Sequence, residues 1–120
     1  MANNFLPTDI TLHKQSKCLE LTYGDVHYTL PAEYLRVYSP SAEVRGHGVG
    51  QEILQTHKEQ VGINQLEPSG NYALKIYFDD GHDSGLFTWD YLYDLATKQD
   101  SHWQDYLNRL EQAGYQRQSD

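Results

Sequence analysis

Apolar and polar residues alternate over residues 9–31, and this period of two predicts β-strands. Gly24 and Asp25 interrupt the alternation with residues that favour a tight turn. We therefore expect an antiparallel meander of three strands, around Ile10 and Leu12, over residues 18–23 and over residues 26–30. Pro31 should then start a turn or a one-turn helix over residues 32–36, because proline is tolerated at a helix start but not inside a helix.

The middle of the chain combines a polar stretch with a second group of strand patterns. Residues 39–60 are polar and interrupted by glycines, which predicts a long loop. Residues 61–66 and 72–78 predict two strands joined by a turn over residues 68–71. Residues 79–82 contain the sequence Asp-Gly and predict a tight hairpin leading into a strand over residues 84–87.

The period changes from two to nearly four after residue 88, which predicts two amphipathic helices. Thr88 should cap the first helix and Ser101 the second. Gly114 suits the C-terminal cap of the second helix, and residues 116–120 should form a frayed tail. The combined pattern predicts an α+β fold, with an antiparallel bent or sandwich-like sheet of five to six strands and two C-terminal helices.

The length and composition restrict the class of protein. A chain of 120 residues with 38% hydrophobic residues suits a single domain over residues 1–120 with one modest core. No apolar run approaches the ~20 residues that a membrane span needs. The N-terminal residues lack the basic start and apolar stretch of a signal peptide, so we expect a cytoplasmic protein.

The charge is strongly negative and unevenly distributed. The formal net charge is -8, and seven aspartates but one lysine lie from Asp79 to Asp105. Such a surface repels phosphate backbones, so nucleic-acid binding is not expected. A basic protein partner or a divalent cation is still allowed, although solubility and helix N-termini also account for aspartates.

Single residues with reactive side chains give little sign of catalysis. Cys18 is the only cysteine, which excludes a disulfide within one chain, and we expect it to be a small buried residue of a strand. Four histidines show no ligand spacing and should be surface or half-buried residues: His13, His27, His57 and His102. Neither Ser39 nor Ser41 lies in a Gly-x-Ser-x-Gly nucleophile motif. We therefore expect no enzyme and no cofactor.

Ten tyrosines supply much of the apolar surface of the chain. Most should bury the ring and leave the hydroxyl in water. Tyr34, Arg36 and Tyr38 lie beside the long loop and are candidates for contact with a partner, because tyrosine and arginine are enriched in interface hot spots.

Two motifs indicate a family. Leu35-Arg36 precedes Ser39-Pro40-Ser41-Ala42-Glu43-Val44, and Gly81-His82-x-Ser84-Gly85 precedes Trp89. The pair resembles the N-terminal domain of gamma-butyrobetaine hydroxylase and the stand-alone bacterial proteins built on that domain, for which no general function is established. The resemblance covers about residues 9–96, and a helix over residues 101–113 follows. We expect no catalytic oxygenase domain, because the resemblance covers only the N-terminal domain, and the resemblance therefore does not imply hydroxylase activity.

In the hydroxylase family, three cysteines and a histidine bind one structural zinc ion. The resemblance places those cysteines at Ser39, Ser41 and Val44, so that only His82 is retained. Serine hydroxyls stay protonated near neutral pH and valine has no donor atom, so we expect the zinc site to be lost. We expect His82 to form hydrogen bonds to Ser39 and Ser41 instead. The alternative is a looser metal site formed by His82 with His47 or a carboxylate such as Asp83.

Two functions remain open from the sequence. The first is a non-enzymatic adaptor that binds an unknown protein partner, with Arg36, Tyr38, Ser39, Ser41 and His82 as the interaction site or degenerate metal site. The second is a metal-binding accessory protein linked to metal or iron-sulphur cluster handling, with His82 and His47 as ligands. The sequence leaves a homodimer open.

Overall fold

The computed structural model of the protein describes residues 5–41 and 54–117. These residues form two antiparallel three-stranded sheets and three helices. The first sheet contains β1, β2 and β3 in that order, and the second contains β4, β5 and β6. In chain order the elements are β1 (Asp9–His13), β2 (Cys18–Tyr23), β3 (Val26–Pro31), α1 (Ala32–Val37), β4 (Ile63–Ser69), β5 (Ala73–Phe78), β6 (Leu86–Thr88), α2 (Trp89–Thr97) and α3 (Gln99–Gln112). The expected α+β fold, with five to six antiparallel strands and two C-terminal helices, is confirmed.

The first sheet has the meander topology that the alternation predicts. β2 lies between β1 and β3, and Leu21 pairs with Ile10 on one side and with Tyr28 on the other. Leu19, Leu21 and Leu30 are fully buried, whereas Glu20 and Thr29 at the alternate positions are partly or fully exposed. Cys18 is in β2 as expected, but it is half-buried and lies 3.5 Å from Ser16 Oγ.

The second sheet differs from the prediction at both of its connections. β4 extends to Ser69, so Pro68 is a strand residue paired with Leu74 and the turn occupies residues 70–72. Pairing between β5 and β6 ends at Lys75 and Leu86. The predicted tight turn is present, since Gly81 N–H donates to Phe78 O and Phe78 N–H donates to His82 O, but strand pairing does not resume at residue 84. A longer connection over residues 79–85 leads into β6, which begins at Leu86 instead of residue 84.

The helix ends confirm two predictions and correct one. Thr88 Oγ1 accepts a hydrogen bond from the Tyr91 backbone N–H and caps α2. Gly114 has a φ of +78°, and Tyr115 N–H donates to Leu110 O, as in a Schellman motif. Ser101 does not cap α3, because the helix begins at Gln99 and includes Ser101.

One cluster of buried side chains joins both sheets to α1 and α2. All six residues of α1 are buried, and Leu35 is fully enclosed between strands and helices. The cluster includes Leu19 and Leu21 from the first sheet, Ile76 and Phe87 from the second, and Leu92 and Leu95 from α2. A smaller cluster packs Val37 against Tyr106 and Leu110 of α3. None of the helices within the described ranges has the length and apolar character that crossing a bilayer requires.

The tyrosines hold these layers together through their hydroxyls. Tyr34 OH donates to Leu95 O at 2.7 Å, Tyr91 OH donates to Tyr38 O at 2.6 Å, and Tyr106 OH donates to Gln55 O at 2.6 Å. These hydroxyls bond to the main chain, whereas the sequence predicts that most tyrosine hydroxyls lie in water. Burial raises the pKa of Tyr34 and of Tyr106 above the usual range.

The C-terminal tail also differs from the prediction. Residues 116–117 do not form a frayed end, because the Arg117 guanidinium contacts the Glu33 carboxylate of α1. Residues 118–120 lie outside the described ranges. The domain boundaries remain a prediction.

Candidate functional site

The connection after β5 turns His82 toward the interior. Phe78 N–H donates to His82 O at 3.0 Å, and Gly81 N–H donates to Phe78 O at 3.3 Å. Gly81 has a φ of +90°, a conformation that glycine adopts without the steric cost other residues pay. His82 is 5% exposed as a result.

His82 meets the segment that follows α1. Its Nε2 atom lies 2.9 Å from Ser39 Oγ and 3.3 Å from Ser41 Oγ. Ser41 N–H in turn donates to Ser39 Oγ at 3.4 Å, and Ser39 N–H donates to Arg36 O at 3.3 Å. The expected hydrogen bonds between His82 and the two serines are present. We name Ser39, Ser41 and His82 the Ser-His cluster.

Gly85 closes the Ser-His cluster from the side of β6. A Cβ atom at this position would lie 2.2 Å from Ser39 Oγ and 3.3 Å from the Ser41 nitrogen. Ser39 and Ser41 are themselves 1% and 5% exposed. The cluster is thus a packed contact between two segments more than forty residues apart in sequence.

An ion-pair network lies beside the Ser-His cluster. Arg36 Nε and Lys58 Nζ donate to Asp80 Oδ2 at 2.9 and 2.8 Å, and His82 N–H donates to Asp80 Oδ1 at 3.2 Å. Arg36 also donates to Gln55 Oε1 at 3.1 Å. Burial alone would raise the pKa of Asp80, but the bonds from Lys58, His82 and Arg36 outweigh it and lower the pKa to about 2.

Tyr38 connects this region to the C-terminal helices. Its hydroxyl donates to His102 O at 2.7 Å, and its carbonyl accepts from Tyr91 OH. Arg109 Nη2 lies 3.5 Å from the same hydroxyl. Tyr38 is half-buried, and these hydrogen bonds fix the end of α1 against α2 and α3.

The predicted interaction residues are therefore close together but mostly enclosed. Tyr34 and Arg36 are 1% and 7% exposed, so neither presents an open surface in this structure, and their contact with a partner stays a prediction. Ser39, Ser41 and His82 form the centre of the cluster, and Arg36 joins it through Asp80. Val44 and His47 lie outside the described residues.

The residues at the positions where the family resemblance places a zinc site do not fit zinc. Two neutral hydroxyls and one imidazole replace the thiolate-rich set that a structural zinc ion needs. Within residues 5–41 and 54–117, no three His, Cys, Asp or Glu side chains form a group that could hold a metal ion. The alternative ligand Asp83 is exposed, whereas His82 points to the serines.

Some contacts were not predicted from the sequence. Asp80, Lys58 and Gly85 complete the site. The sequence signal for Asp80 is the Asp-Gly turn that contains it. His13 and His27 show no ligand spacing in the sequence, yet both contact Glu20 of β2, at 3.0 and 3.3 Å. Their cross-strand positions follow from the register of β1, β2 and β3.

A shallow groove of about 440 Å³ lies next to the Ser-His cluster, between the segment after α1 and helix α2. We name it the β6 groove. Leu86 in its wall is 37% exposed. Burial would raise the pKa of Asp94, but His102 and Lys98 outweigh it and hold the pKa below the usual range. The lining residues are Pro40, Leu86, Thr88, Asp90, Tyr91 and Asp94.

The chain matches the family model described as gamma-butyrobetaine hydroxylase-like, N-terminal, over residues 10–93, and it belongs to this family. The resemblance drawn from the two motifs is therefore confirmed. No curated protein matches the chain.

Solved structures of similar proteins have the same fold. One protein, solved by NMR in solution, is 60% identical, with a TM-score of 0.84 over 96% of this chain and 91% of the other. A second NMR structure is 48% identical, with a TM-score of 0.77 over 98% and 89% of the two chains. A crystal structure of a protein with unknown function from Acidithiobacillus ferrooxidans, of the DUF971 family, is 33% identical, with a TM-score of 0.63 over 77% and 93%.

Proposed function

We propose that this protein is a non-enzymatic adaptor that binds another protein in the cytoplasm. The observation that carries the proposal is the enclosure of the Ser-His cluster. Ser39 Oγ and His82 Nε2 are 2.9 Å apart, a distance that suits a nucleophile and its base. Ser39 is only 1% exposed, however, and Gly85 packs directly against its hydroxyl. A substrate carbonyl has no approach to this oxygen, which favours a structural role for the pair.

The β6 groove is the surface that we propose for docking. Leu86 offers an exposed apolar contact, and Asp90 and Asp94 line the same groove, with Asp94 already paired with Lys98 and His102. An apolar side chain flanked by lysine or arginine complements this arrangement, because charge complementarity guides both orientation and encounter. The formal net charge of -8 favours the same kind of partner. We therefore assign the groove to a basic segment of a partner protein.

Native mass spectrometry of untagged protein, isolated from its own host without chelators, tests this function. Leu86→Asp places a charge on the apolar wall of the β6 groove. Val26→Asp makes the same change on the first sheet, where Val26 is 48% exposed, and serves as the matched control. We expect a second protein to remain bound to the wild type and to Val26→Asp, and to be lost from Leu86→Asp.

Other spectra would contradict the proposal. A partner retained by Leu86→Asp would exclude the β6 groove as the docking surface. A homodimer without any second protein would indicate self-association and contradict the adaptor function. A mass increase of one metal ion, absent from His82→Ala, would favour the second candidate, a metal-handling accessory. That candidate depends on His82, whose Nε2 atom already contacts Ser39 and Ser41.

A further inference from the structure

Glu33 of α1 has a buried carboxylate. Arg117, which follows α3, binds this carboxylate through two guanidinium nitrogens. Glu33 is 9% exposed. Arg117 Nε donates to Glu33 Oε2 at 3.1 Å, and Arg117 Nη2 donates to Glu33 Oε1. This parallel arrangement matches the planar fork of a guanidinium and is not available to an ammonium group.

An aromatic ring completes the recognition of the guanidinium. Arg117 Cζ lies 5.2 Å from the centroid of the Trp103 ring, within the range of a cation–π interaction. Beside it, Tyr115 OH donates to Glu59 Oε2 at 2.6 Å and so anchors the segment that carries Arg117. The Glu33 carboxylate and the Trp103 indole together form a binding site for one arginine side chain.

An open cavity adjoins this site. It has a volume of about 410 Å³, and both Glu33 and Glu59 line it. Ser16, Pro31 and Gln60 contribute to its other walls, and Lys17 Nζ within it donates to Gln60 O at 3.0 Å. The cavity leaves room beside Glu33 for the residues that flank an incoming arginine.

The present occupant is attached by a short segment. Arg117 follows the end of α3 at Gln112 and the turn at Gly114, and its side chain is 34% exposed. Local opening of the segment after α3 breaks the contacts of Tyr115 and Arg117 and still costs less than global unfolding. Leaving Glu33 without a cation costs more free energy, because a buried carboxylate needs a charged or hydrogen-bonding partner.

We infer that Glu33, Trp103 and the adjoining cavity form an arginine-binding site for an extended segment of a partner protein, which Arg117 fills when the partner is absent. This inference rests on the adaptor function and adds the side chain that is recognised. The acidic net charge of the chain attracts such a segment.

Peptide binding to the full-length Arg117→Ala variant, followed by NMR at the Trp103 indole N–H, tests the inference. The probe is a capped peptide with the sequence of residues 114–118, Gly-Tyr-Gln-Arg-Gln. The same peptide with citrulline in place of arginine is the matched probe, because citrulline keeps the shape and loses the charge. We expect saturable binding of the arginine peptide to Arg117→Ala. The citrulline peptide should bind this variant more weakly by about tenfold or more. The arginine peptide should bind the wild-type protein more weakly by a similar factor, because Arg117 competes for the site.

Two variants control for charge and for the carboxylate. Lys98→Ala removes one positive charge from an exposed position and keeps Arg117 in place, so it should bind the peptide as weakly as the wild type. Glu33→Gln combined with Arg117→Ala should abolish binding. If Arg117→Ala loses the dispersed spectrum of a folded protein, Arg117→Lys replaces it, because lysine cannot form the two-nitrogen contact and should compete poorly.

Three results would overturn the inference. The first is a folded Arg117→Ala protein that does not bind the peptide, and the second is equal binding of the citrulline peptide. The third is a wild-type dimer that becomes a monomer in Arg117→Ala, since a second copy of this chain would then supply the arginine. None of these results bears on the Leu86→Asp comparison, so the adaptor function and the arginine site fail separately.

Discussion

Gly85 lies so close to Ser39 that no side chain fits between them. A Cβ atom on Gly85 would be 2.2 Å from Ser39 Oγ and 3.1 Å from Pro40 Cδ. The two residues belong to the segment before β6 and the segment after α1, so their contact fixes the position of the Ser-His cluster.

Gly85→Ala should destabilise the protein, because the added methyl group displaces a buried hydroxyl that contacts His82. We expect a loss of about 1–3 kcal/mol in the free energy of unfolding, measured by chemical denaturation. Adding Ser39→Ala removes the clashing oxygen, so the double variant should lose less than the sum of the two single losses. Additive losses would contradict the close contact.

His82→Ala should lower the melting temperature and leave the metal content unchanged. The substitution removes the buried imidazole and its contacts to Ser39 and Ser41, which together should cost about 2–4 kcal/mol. Calorimetry and elemental analysis measure the two quantities. His27→Ala is the control, because the His27 side chain is 60% exposed. An unchanged melting temperature would exclude a structural role for His82.

Asp80 should make stability depend on pH in the acid range. Its pKa is lowered to about 2 in the folded protein, whereas an unfolded aspartate titrates near 3.9. The stabilisation is therefore present above pH ~4 and lost as the pH falls toward 2. We expect about 1–2 kcal/mol at neutral pH after allowance for solvent screening.

Denaturation curves of Asp80→Asn at several pH values measure this contribution. The variant should be less stable than the wild type at pH 7, and the difference should shrink on acidification. Asp83→Asn is the matched control, because Asp83 is exposed and should change stability little. Equal pH profiles for the wild type and Asp80→Asn would contradict the assignment.

Thr88→Ala should cost about 1 kcal/mol, because the Thr88 hydroxyl accepts the N–H of Tyr91 at the start of α2. Ser101→Ala is the matched control for Thr88→Ala. Ser101 lies inside α3 and is exposed, so the substitution should leave stability nearly unchanged. Thermal denaturation of both variants decides whether only Thr88 acts as a cap.

The local elements were predictable wherever the sequence carries a local signal. Alternation around Leu19 and Leu21 gave the meander, because one face of that sheet is buried. Thr88 precedes an apolar helical pattern and was recognised as a cap, whereas Ser101 has the same appearance inside a helix that begins two residues earlier. The Asp-Gly turn was predictable because its signal is local, but that turn does not determine where β5 and β6 stop pairing.

The Ser-His cluster was predictable only in part. Ser39, Ser41 and His82 came from the family resemblance, since their separation in sequence carries no local signal. The contacts of Glu33 with Arg117 and of Asp80 with Lys58 depend on how the layers pack, and no pattern within a short window encodes them. The burial of Arg36 was missed for the same reason, because arginine is rarely enclosed unless it is paired.

The complete burial of α1 affects how the family sequence can vary. A helix on a protein surface presents one side to water, so substitutions there are tolerated at intervals of three or four residues. Residues 32–37 have no such side, and Glu33 and Arg36 are held by specific ion pairs. Saturation mutagenesis should therefore find an unbroken block of six intolerant positions in α1, while the exposed positions of α3 accept most amino acids.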